Sequence, residues 1–328
     1  MTIGCASTKE RIEPLGFVAE CLRPAARAML ELERLFPRAA DDLFGLREAI
    51  ARLAQPARTD VPWTEQRIGG LPGQPDVRLF VVNAKPGTHR PAVLHMHGGG
   101  FVAGRASDSI AMLQGMAAEL DCAFVTVDYR LAPESSHEES LQDNYAGLLW
   151  LFEHAEPLGV DPSRIAVMGE SAGGGHAALL AIAARDRGDV SLAFQLLVYP
   201  MLDDRTGTDR QVEPPVGTLF WTAADNAFGW RAFLGDESAQ ERRRCRGVPA
   251  RVESVACLPP TFICVGSIDL FVDECIEFAA RLVDSGVPTE LLVTAGAFHG
   301  FDVVAPETES AARFNAAKIA ALNRALRP

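Results

Sequence analysis

From Val77 onward the chain alternates short apolar runs with longer helix-like stretches. Glycine and proline bound the apolar runs, and each run is short enough to form one buried strand. Seven strands are predicted, from the runs VRLFVV, PAVLHMH, CAFVTVD, RIAVMG, FQLLVYP, TFICVG and TELLVTAG. Helices are predicted between many of them, at residues 107–120, 140–155, 172–187 and 272–286.

Buried strands that alternate with helices indicate an α/β fold, in which a mostly parallel sheet is covered by helices on both faces. Only the turn-rich sequence NAKPGTHR separates the first two runs, and it is too short for a crossover helix. The first strands are therefore expected to run antiparallel and the later ones parallel.

Two segments depart from this alternation. Residues 17–54 place apolar and charged residues at helical spacing, which predicts a helical arm that ends before Pro56. Residues 203–256 separate two strand runs, and they carry the aromatic residues Phe220, Trp221, Phe228, Trp230 and Phe233. An insertion at the carboxyl end of a strand lies where open α/β sheets bind ligands.

The arm and the insertion together are predicted to form a cap over the active site, and a plain helical packing layer is the alternative. Three units follow from this interpretation. They are the N-terminal arm at 1–55, the cap insertion at 203–256, and a catalytic core formed by 56–202 and 257–328.

Charge narrows the range of partners. The 328 residues carry a net charge of −12, which opposes binding to nucleic acid because phosphate contacts need a basic face. The one basic run, ERRRCR at 241–246, is interpreted as a solvated helix end. The expected partner is therefore a small molecule.

Other features bear on the cellular compartment. The first residues are charged where a secretory signal would be apolar, and no run approaches the roughly 18 apolar residues of a membrane helix. The seven cysteines are scattered and odd in number, which indicates reduced thiols rather than a disulfide framework. A cytoplasmic protein without membrane insertion is predicted.

The segment Gly169–Gly173, GESAG, is a G-x-S-x-G motif between the predicted strand RIAVM and a helix rich in alanine and leucine. In this strand–turn–helix setting a serine nucleophile is presented on a tight turn, where glycines avoid collisions with nearby backbone. A glycine-rich helix start without chemistry is the alternative. A serine hydroxyl is a weak nucleophile near neutral pH, so Ser171 needs a base and an orienting acid.

When a serine is presented in this way on an α/β sheet, the acid and then the histidine follow it along the chain. Two histidines follow Ser171. His176 is five positions along the same predicted helix and points away from the turn. His299, just after the last predicted strand, is therefore the predicted general base.

The acid should end the strand that precedes the histidine. Asp269 lies nearest the end of the run TFICVG and is the predicted acid. Asp273 and Glu274 are alternatives, although their positions suit the N-terminus of the following helix. Asp302 is too close to His299 in the sequence to be its usual partner.

A second motif, His97–Phe101 or HGGGF, follows the run AVLHM. Acyl transfer develops negative charge on a carbonyl oxygen, and backbone N–H groups stabilise that charge by roughly 3 to 4 kcal/mol per donor. Glycines allow the backbone to approach that oxygen closely. The N–H groups of Gly98, Gly99 and Ala172 are the predicted oxyanion hole.

Five motifs follow one another along the chain: HGGGF, DYRLAPE at 128–134, GESAGG, and the segments around Asp269 and His299. On these motifs the chain, from about residue 65 onward, resembles the bacterial hormone-sensitive-lipase-like esterases. The resemblance implies an α/β-hydrolase fold with a helical cap. It also implies a serine carboxylesterase that hydrolyses short-chain acyl esters through an acyl-enzyme, without a cofactor and frequently as a homodimer.

The chain departs from the family pattern at two places. Glu170 stands before the nucleophile, where the family commonly has aspartate or threonine, and SSHEE at 135–139 replaces a run that contains proline and phenylalanine. Glu170 is interpreted as a structural carboxylate, and the alternatives are an effect on the catalytic histidine or on cap docking. Phe101, Trp221 and Phe301 are predicted to bind substrate, although aromatics such as Trp221 equally suit a cap core.

Three other interpretations fit parts of the sequence. Gly98–Ala103 fits the dinucleotide pattern G-x-G-x-x-A, but an oxidoreductase would leave Ser171, Asp269 and His299 unexplained. His95 and His97 have no further ligand at metal spacing, so no metal is predicted. The alternative kept open is a small-molecule binding protein on the same scaffold, because a fold alone does not prove catalysis.

Overall fold

The computed structural model describes residues 14–33, 37–235 and 246–327. Eight strands of this part form one sheet in the order β1-β2-β4-β3-β5-β6-β7-β8. Their bounds are β1 Trp63–Ile68, β2 Val77–Val82, β3 Arg90–Met96, β4 Ala123–Asp128, β5 Val160–Glu170, β6 Phe194–Val198, β7 Thr261–Gly266 and β8 Thr289–Thr294.

The seven predicted strands are all present, and the predicted mixture of directions is confirmed. Strands β1 and β2, and then β2 and β4, pair antiparallel, whereas all later pairs are parallel. The first two predicted strands, β2 and β3, run in opposite directions, but β4 lies between them.

The eighth strand, β1, was missed, and the prediction of seven strands is wrong in this respect. Its sequence WTEQRI is mostly polar, and only Ile68 is buried. Sequence patterns find strands by their buried apolar positions, and this edge strand has almost none. Backbone pairing with β2 and the contact between the rings of Trp63 and Phe80, 5.9 Å apart, hold it in place.

The helices of the described residues lie between and beside these strands. Their bounds are α1 Arg23–Glu33, α2 Leu43–Ala51, α3 Ile110–Leu120, α4 His137–Glu153, α5 Ala155–Leu158, α6 Ala172–Arg187, α7 Ala223–Leu234, α8 Val272–Asp284, α9 Phe301–Val304 and α10 Glu309–Leu326. Short 3₁₀ turns add Pro14–Gly16, Glu20–Leu22, Ala106–Ser109 and Pro249–Arg251.

Two helical layers bury the apolar strands. Helices α4 and α6 pack against each other and against the central strands, and α3 and α10 pack against each other beside the same sheet. The predicted α/β fold with flanking helices is therefore confirmed. No helix in the described ranges is long and apolar enough to cross a membrane.

The predicted arm consists of α1 and α2, with residues 1–13 and 34–36 outside the described part. Arg47 on α2 donates from Nε to the carbonyl O of Val102 at 2.7 Å and pairs with Glu134. Arg38, just before α2, pairs with Asp225 of the insertion at 3.2 Å. The arm thus contacts both the core and the insertion, while most of the basic run at 241–246 lies outside the described residues.

Candidate active site

Ser171 lies at the turn between β5 and α6. Its φ of 56° and ψ of −121° are strained for a residue with a side chain. Its N–H donates to the carbonyl O of Val198 at 2.9 Å, and its own carbonyl O accepts from the N–H of Met201 at 3.0 Å. The two bonds reach the last residue of β6 and the segment after it, and they hold the backbone in this strained conformation.

The glycines around Ser171 are required by contacts between backbone atoms. A Cβ atom on Gly169 would lie 2.2 Å from the carbonyl O of Gly173. A Cβ atom on Gly173 would lie 2.0 Å from the carbonyl O of Met96 on β3. Helix α6 therefore starts against the ends of β3 and β5, closer than any larger residue would allow.

Ser171, His299 and Asp269 form a continuous hydrogen-bonded chain. His299 Nε2 lies 3.0 Å from Ser171 Oγ, and His299 Nδ1 lies 2.9 Å from Asp269 Oδ2. The exposed fractions are 8%, 4% and 0% respectively. Because β5, β7 and β8 are parallel, the loops after their carboxyl ends bring the three residues to one edge of the sheet.

The carboxylate of Asp269 is held by its own loop. Its Oδ1 accepts a hydrogen bond from the N–H of Phe271 at 2.9 Å, which leaves Oδ2 for His299. The alternative acid Glu274 has a different partner, because its Oε1 accepts from the N–H of Leu202 at 2.6 Å. Burial raises the pKa of Glu274 well above its ordinary value. The N–H of Asp203 also donates to Glu274 Oε1 at 3.3 Å, so Glu274 fastens the start of the insertion to α8.

A buried polar network adjoins His299. The ring of Tyr199 meets the His299 ring edge-on at 4.7 Å, and Tyr199 Oη donates to Asp302 Oδ1 at 2.9 Å. Lys318 Nζ on α10 donates to Asp302 Oδ2 at 2.7 Å. Burial lowers the pKa of Lys318, but the Asp302 carboxylate more than offsets this, so the pKa is raised.

The pairing of Lys318 with Asp302 beside His299 was not predicted from the sequence. Phe314, Lys318 and Leu322 lie four residues apart on α10, and all three are buried. A lysine on the apolar stripe of a helix is a signal that it pairs with a buried carboxylate.

The loop 97–101 approaches Ser171 from β3. Among the described residues, the N–H groups of Gly98 and Gly99 have no hydrogen-bond acceptor. Gly99 has a φ of 128°, and a Cβ atom there would lie 2.0 Å from the carbonyl O of Ala103. Ala172 is the first residue of α6, so its N–H lies at the positive end of the helix dipole.

His97 fixes the shape of this loop. Its Nδ1 lies 2.8 Å from the carbonyl O of Gly98, and its ring stacks on Tyr129 with centroids 4.3 Å apart. Tyr129 Oη donates to the carbonyl O of His97 at 2.6 Å. Burial lowers the pKa of His97 to about 4, so the ring is neutral near pH 7 and donates from Nδ1 to Gly98.

Of the three residues predicted to bind substrate, Trp221 is half-buried and packs on Gly100 of the loop 97–101. Phe101 and Phe301 are almost fully buried. Phe101 stacks on Phe233 with centroids 3.9 Å apart, and Phe301 meets Phe314 edge-on at 4.8 Å. These two rings pack in the interior, and a contact with substrate stays a prediction for each of them.

Glu170 is bonded to a neighbouring strand. Its Oε2 lies 2.8 Å from His95 Nε2, and His95 Nδ1 lies 2.8 Å from Thr126 Oγ1. This pairing across β5, β3 and β4 favours the structural interpretation of Glu170. Both ring nitrogens of His95 are thereby occupied. No group of three or more potential metal ligands occurs in the described part of the chain.

The comparisons with known proteins agree with this architecture. A sequence profile described as the α/β hydrolase fold matches residues 93–303. The chain is 34% identical to the esterase LipI of Mycobacterium tuberculosis over 248 residues, which cover 75% of this chain and 77% of that protein. It is 35% identical to the carboxylesterase NlhH of the same species, over 72% of this chain and 74% of that protein.

Solved structures give the same result. A bacterial heroin esterase superposes with a TM-score of 0.86 and 35% identity, covering 96% of this chain and 100% of that one. The esterase LipW of Mycobacterium marinum superposes with a TM-score of 0.79 and 33% identity, covering 96% and 98%. The chain belongs to the bacterial hormone-sensitive-lipase-like esterases of the α/β-hydrolase fold.

Proposed function

We propose that this carboxylic ester hydrolase works through Ser171 as nucleophile, His299 as general base and Asp269 as the acid that orients His299. The observation that carries the proposal is the hydrogen-bonded chain from Ser171 Oγ through both ring nitrogens of His299 to Asp269. All three groups are buried, so water does not compete for these bonds.

In the acylation step His299 Nε2 takes the proton of Ser171 as Oγ attacks the ester carbonyl. The carbonyl oxygen becomes an oxyanion, which the N–H groups of Gly98, Gly99 and Ala172 stabilise. His299 then gives its proton to the leaving alcohol, and an acyl-enzyme remains. Asp269 keeps the imidazole in the required tautomer and stabilises its charged form.

In the deacylation step a water molecule takes the place of the alcohol. His299 accepts a proton from the water, the oxygen attacks the acyl carbon, and Ser171 leaves with the proton returned by His299. In both steps His299 is the group that accepts and returns the proton.

We further propose that residues 1–55 and 203–256 form a cap, with 56–202 and 257–328 as the catalytic core. The pair Arg38–Asp225 supports this division because it joins the arm to the insertion. Trp221 on Gly100 supports it as well, since it brings the insertion onto the oxyanion loop. The Trp221 ring limits the space beside the loop 97–101, which favours short acyl chains.

A homodimer is proposed through the edge strand β8 and helix α8. Within the described residues β8 has one neighbouring strand, and an open edge can pair with a second copy. Val293 on β8 and Ile276 and Val283 on α8 are exposed apolar residues, with exposed fractions of 38%, 43% and 59%. Ile276→Lys together with Val283→Lys should then give a monomer in light scattering. A variant that keeps the mass of a dimer would refute this interface.

A cytoplasmic location is proposed from the cysteines. Cys21, Cys122, Cys257, Cys264 and Cys275 are all free thiols, which is typical of a reducing compartment. Fractionation of cells that express the full chain tests this proposal.

The test of the catalytic proposal is the hydrolysis of nitrophenyl esters of increasing acyl length by the wild type and by Ser171→Ala. Activity should be highest for short acyl groups and should fall by about 10⁴-fold or more in the variant. The variant Ser163→Ala changes an exposed serine on β5 and serves as a control. Wild-type rates in Ser171→Ala would refute the role of Ser171. A folded wild type that binds esters without hydrolysing them would favour the binding-protein alternative.

A further inference from the structure

Phe220 occupies a strained turn of the cap insertion. Its φ is 67°, a region that side chains rarely adopt, and the N–H of Trp221 donates to the carbonyl O of Leu219 at 2.9 Å. This bond closes a three-residue turn around Phe220. Strained backbone of this kind persists only where the surrounding structure holds it, and it concentrates at ligand-binding sites.

The turn directs two consecutive rings to two sides of the active site. The ring of Trp221 packs on Gly100 of the oxyanion loop. The ring of Phe220 packs on Gly300 and lies 5.9 Å from the ring of His299, centroid to centroid. The insertion thus places one aromatic residue beside the oxyanion donors and the other beside the general base.

Phe220 differs from the other rings around His299 in its exposure. Tyr199 and Phe271 also contact the His299 ring, and both are buried. Phe220 is 40% exposed. It therefore presents an aromatic surface next to His299 that a bound molecule can reach.

The chemistry of ester cleavage decides which part of a substrate lies there. The leaving oxygen must come within hydrogen-bond reach of His299 Nε2, because it receives its proton from that atom. The carbonyl oxygen points toward Gly98 and Gly99. The alcohol part, which starts at the leaving oxygen, therefore extends along the His299 side, toward Phe220.

We propose that Phe220 determines specificity by contacting the alcohol part of the ester, and that the preferred substrates are esters of aromatic alcohols. This inference rests on the proposed roles of Ser171 and His299. Paired aromatic rings gain energy beyond simple burial, so a flat ring in the alcohol part gains more from Phe220 than an alkyl group does.

The test keeps the acyl group constant and varies the alcohol, by comparing benzyl acetate with ethyl acetate. Phe220→Ala should lower kcat/KM for benzyl acetate by about tenfold and for ethyl acetate by less than about twofold. Phe220→Tyr keeps the ring and should retain the preference of the wild type. Phe152→Ala is the matched control, because Phe152 on α4 is 39% exposed and should change neither substrate.

Deacylation gives a second readout, since the alcohol has already left when water attacks. The hydrolysis rate of the acetyl-enzyme, measured after a burst with nitrophenyl acetate, should be the same in Phe220→Ala and the wild type. An equal loss on both acetates, or slower deacylation, would show that the ring acts on His299 and would overturn the inference. Failure of the proposed function is distinguishable, because it would appear as wild-type rates in Ser171→Ala.

Discussion

Lys318 Nζ lies 2.7 Å from Asp302 Oδ2 in the interior, and neither side chain is more than 5% exposed. Removal of one partner leaves the other as an uncompensated buried charge. We expect Lys318→Met to lower the free energy of unfolding by about 3–5 kcal/mol in chemical denaturation. The double variant with Asp302→Asn should recover much of this loss, because it leaves no unpaired charge of this pair in the interior.

An exposed ion pair serves as the control for this experiment. Arg324 and Glu290 also form a salt bridge, but each side chain is about 60% exposed. Glu290→Gln should change stability by less than about 1 kcal/mol. If Glu290→Gln and Lys318→Met lower the free energy of unfolding equally, burial does not explain the effect of removing Lys318.

Asp269→Asn should lower kcat by about 10³–10⁴-fold while the protein stays folded. The amide removes the negative charge that stabilises the protonated His299, and its NH₂ group favours the wrong imidazole tautomer. Steady-state kinetics and thermal unfolding of the same preparation provide the measurement. Asp273→Asn, on the first turn of α8, is the control, and a comparable loss in that variant would argue against a special role for Asp269.

Gly99→Ala should reduce kcat by about 10²–10³-fold, the range seen when an oxyanion donor is lost. The added Cβ would lie 2.0 Å from the carbonyl O of Ala103, so the loop must shift. Gly73→Ala is a matched control, because Gly73 also has a positive φ but has open space around its Cα. If both variants lose activity equally, backbone strain rather than the collision explains the effect.

His176 makes stability depend on pH. Burial lowers its pKa from 6.5 to about 3, so the ring is neutral when folded but takes a proton when unfolded below about pH 6.5. The unfolded state then binds more protons, and stability falls as the pH drops through this window. His97 contributes in the same direction, because its pKa is about 4.

We therefore expect His176→Phe to gain about 2 kcal/mol of stability relative to the wild type when the pH falls from 8 to 5. The new phenyl ring would lie among the rings of Phe101, Tyr129 and Phe233, which surround His176 in the wild type. Urea unfolding at both pH values measures the difference, and a constant difference would contradict the pKa argument.

The sequence was most informative where a residue type is dictated by backbone contact. The glycines at 99, 169 and 173 mark the two loops at the site because a larger residue would collide with neighbouring carbonyl groups. Chain order then identified the position of His299. Nearness to the end of β7 favoured Asp269 over Glu274, and in the structure Glu274 accepts from the N–H of Leu202 instead.

Other features could not be predicted because they join residues that are distant along the chain. Tyr199 and Asp302 are 103 residues apart, and His95 and Glu170 are 75 residues apart. Strand β1 escaped for a different reason, since its side chains are mostly exposed and its stability comes from backbone pairing with β2. Both the strain at Phe220 and its place beside His299 depend on how the insertion folds back.

The proposed reacting groups and the insertion follow different strands of the sheet. The loop with the proposed oxyanion donors follows β3, and the proposed triad residues follow β5, β7 and β8, whereas the segment 203–256 leaves from β6. The insertion can therefore be exchanged for that of a relative without cutting any loop that carries the reacting groups. For enzyme engineers, the two ends of this segment are natural joining points for chimeras that accept new esters with unchanged chemistry.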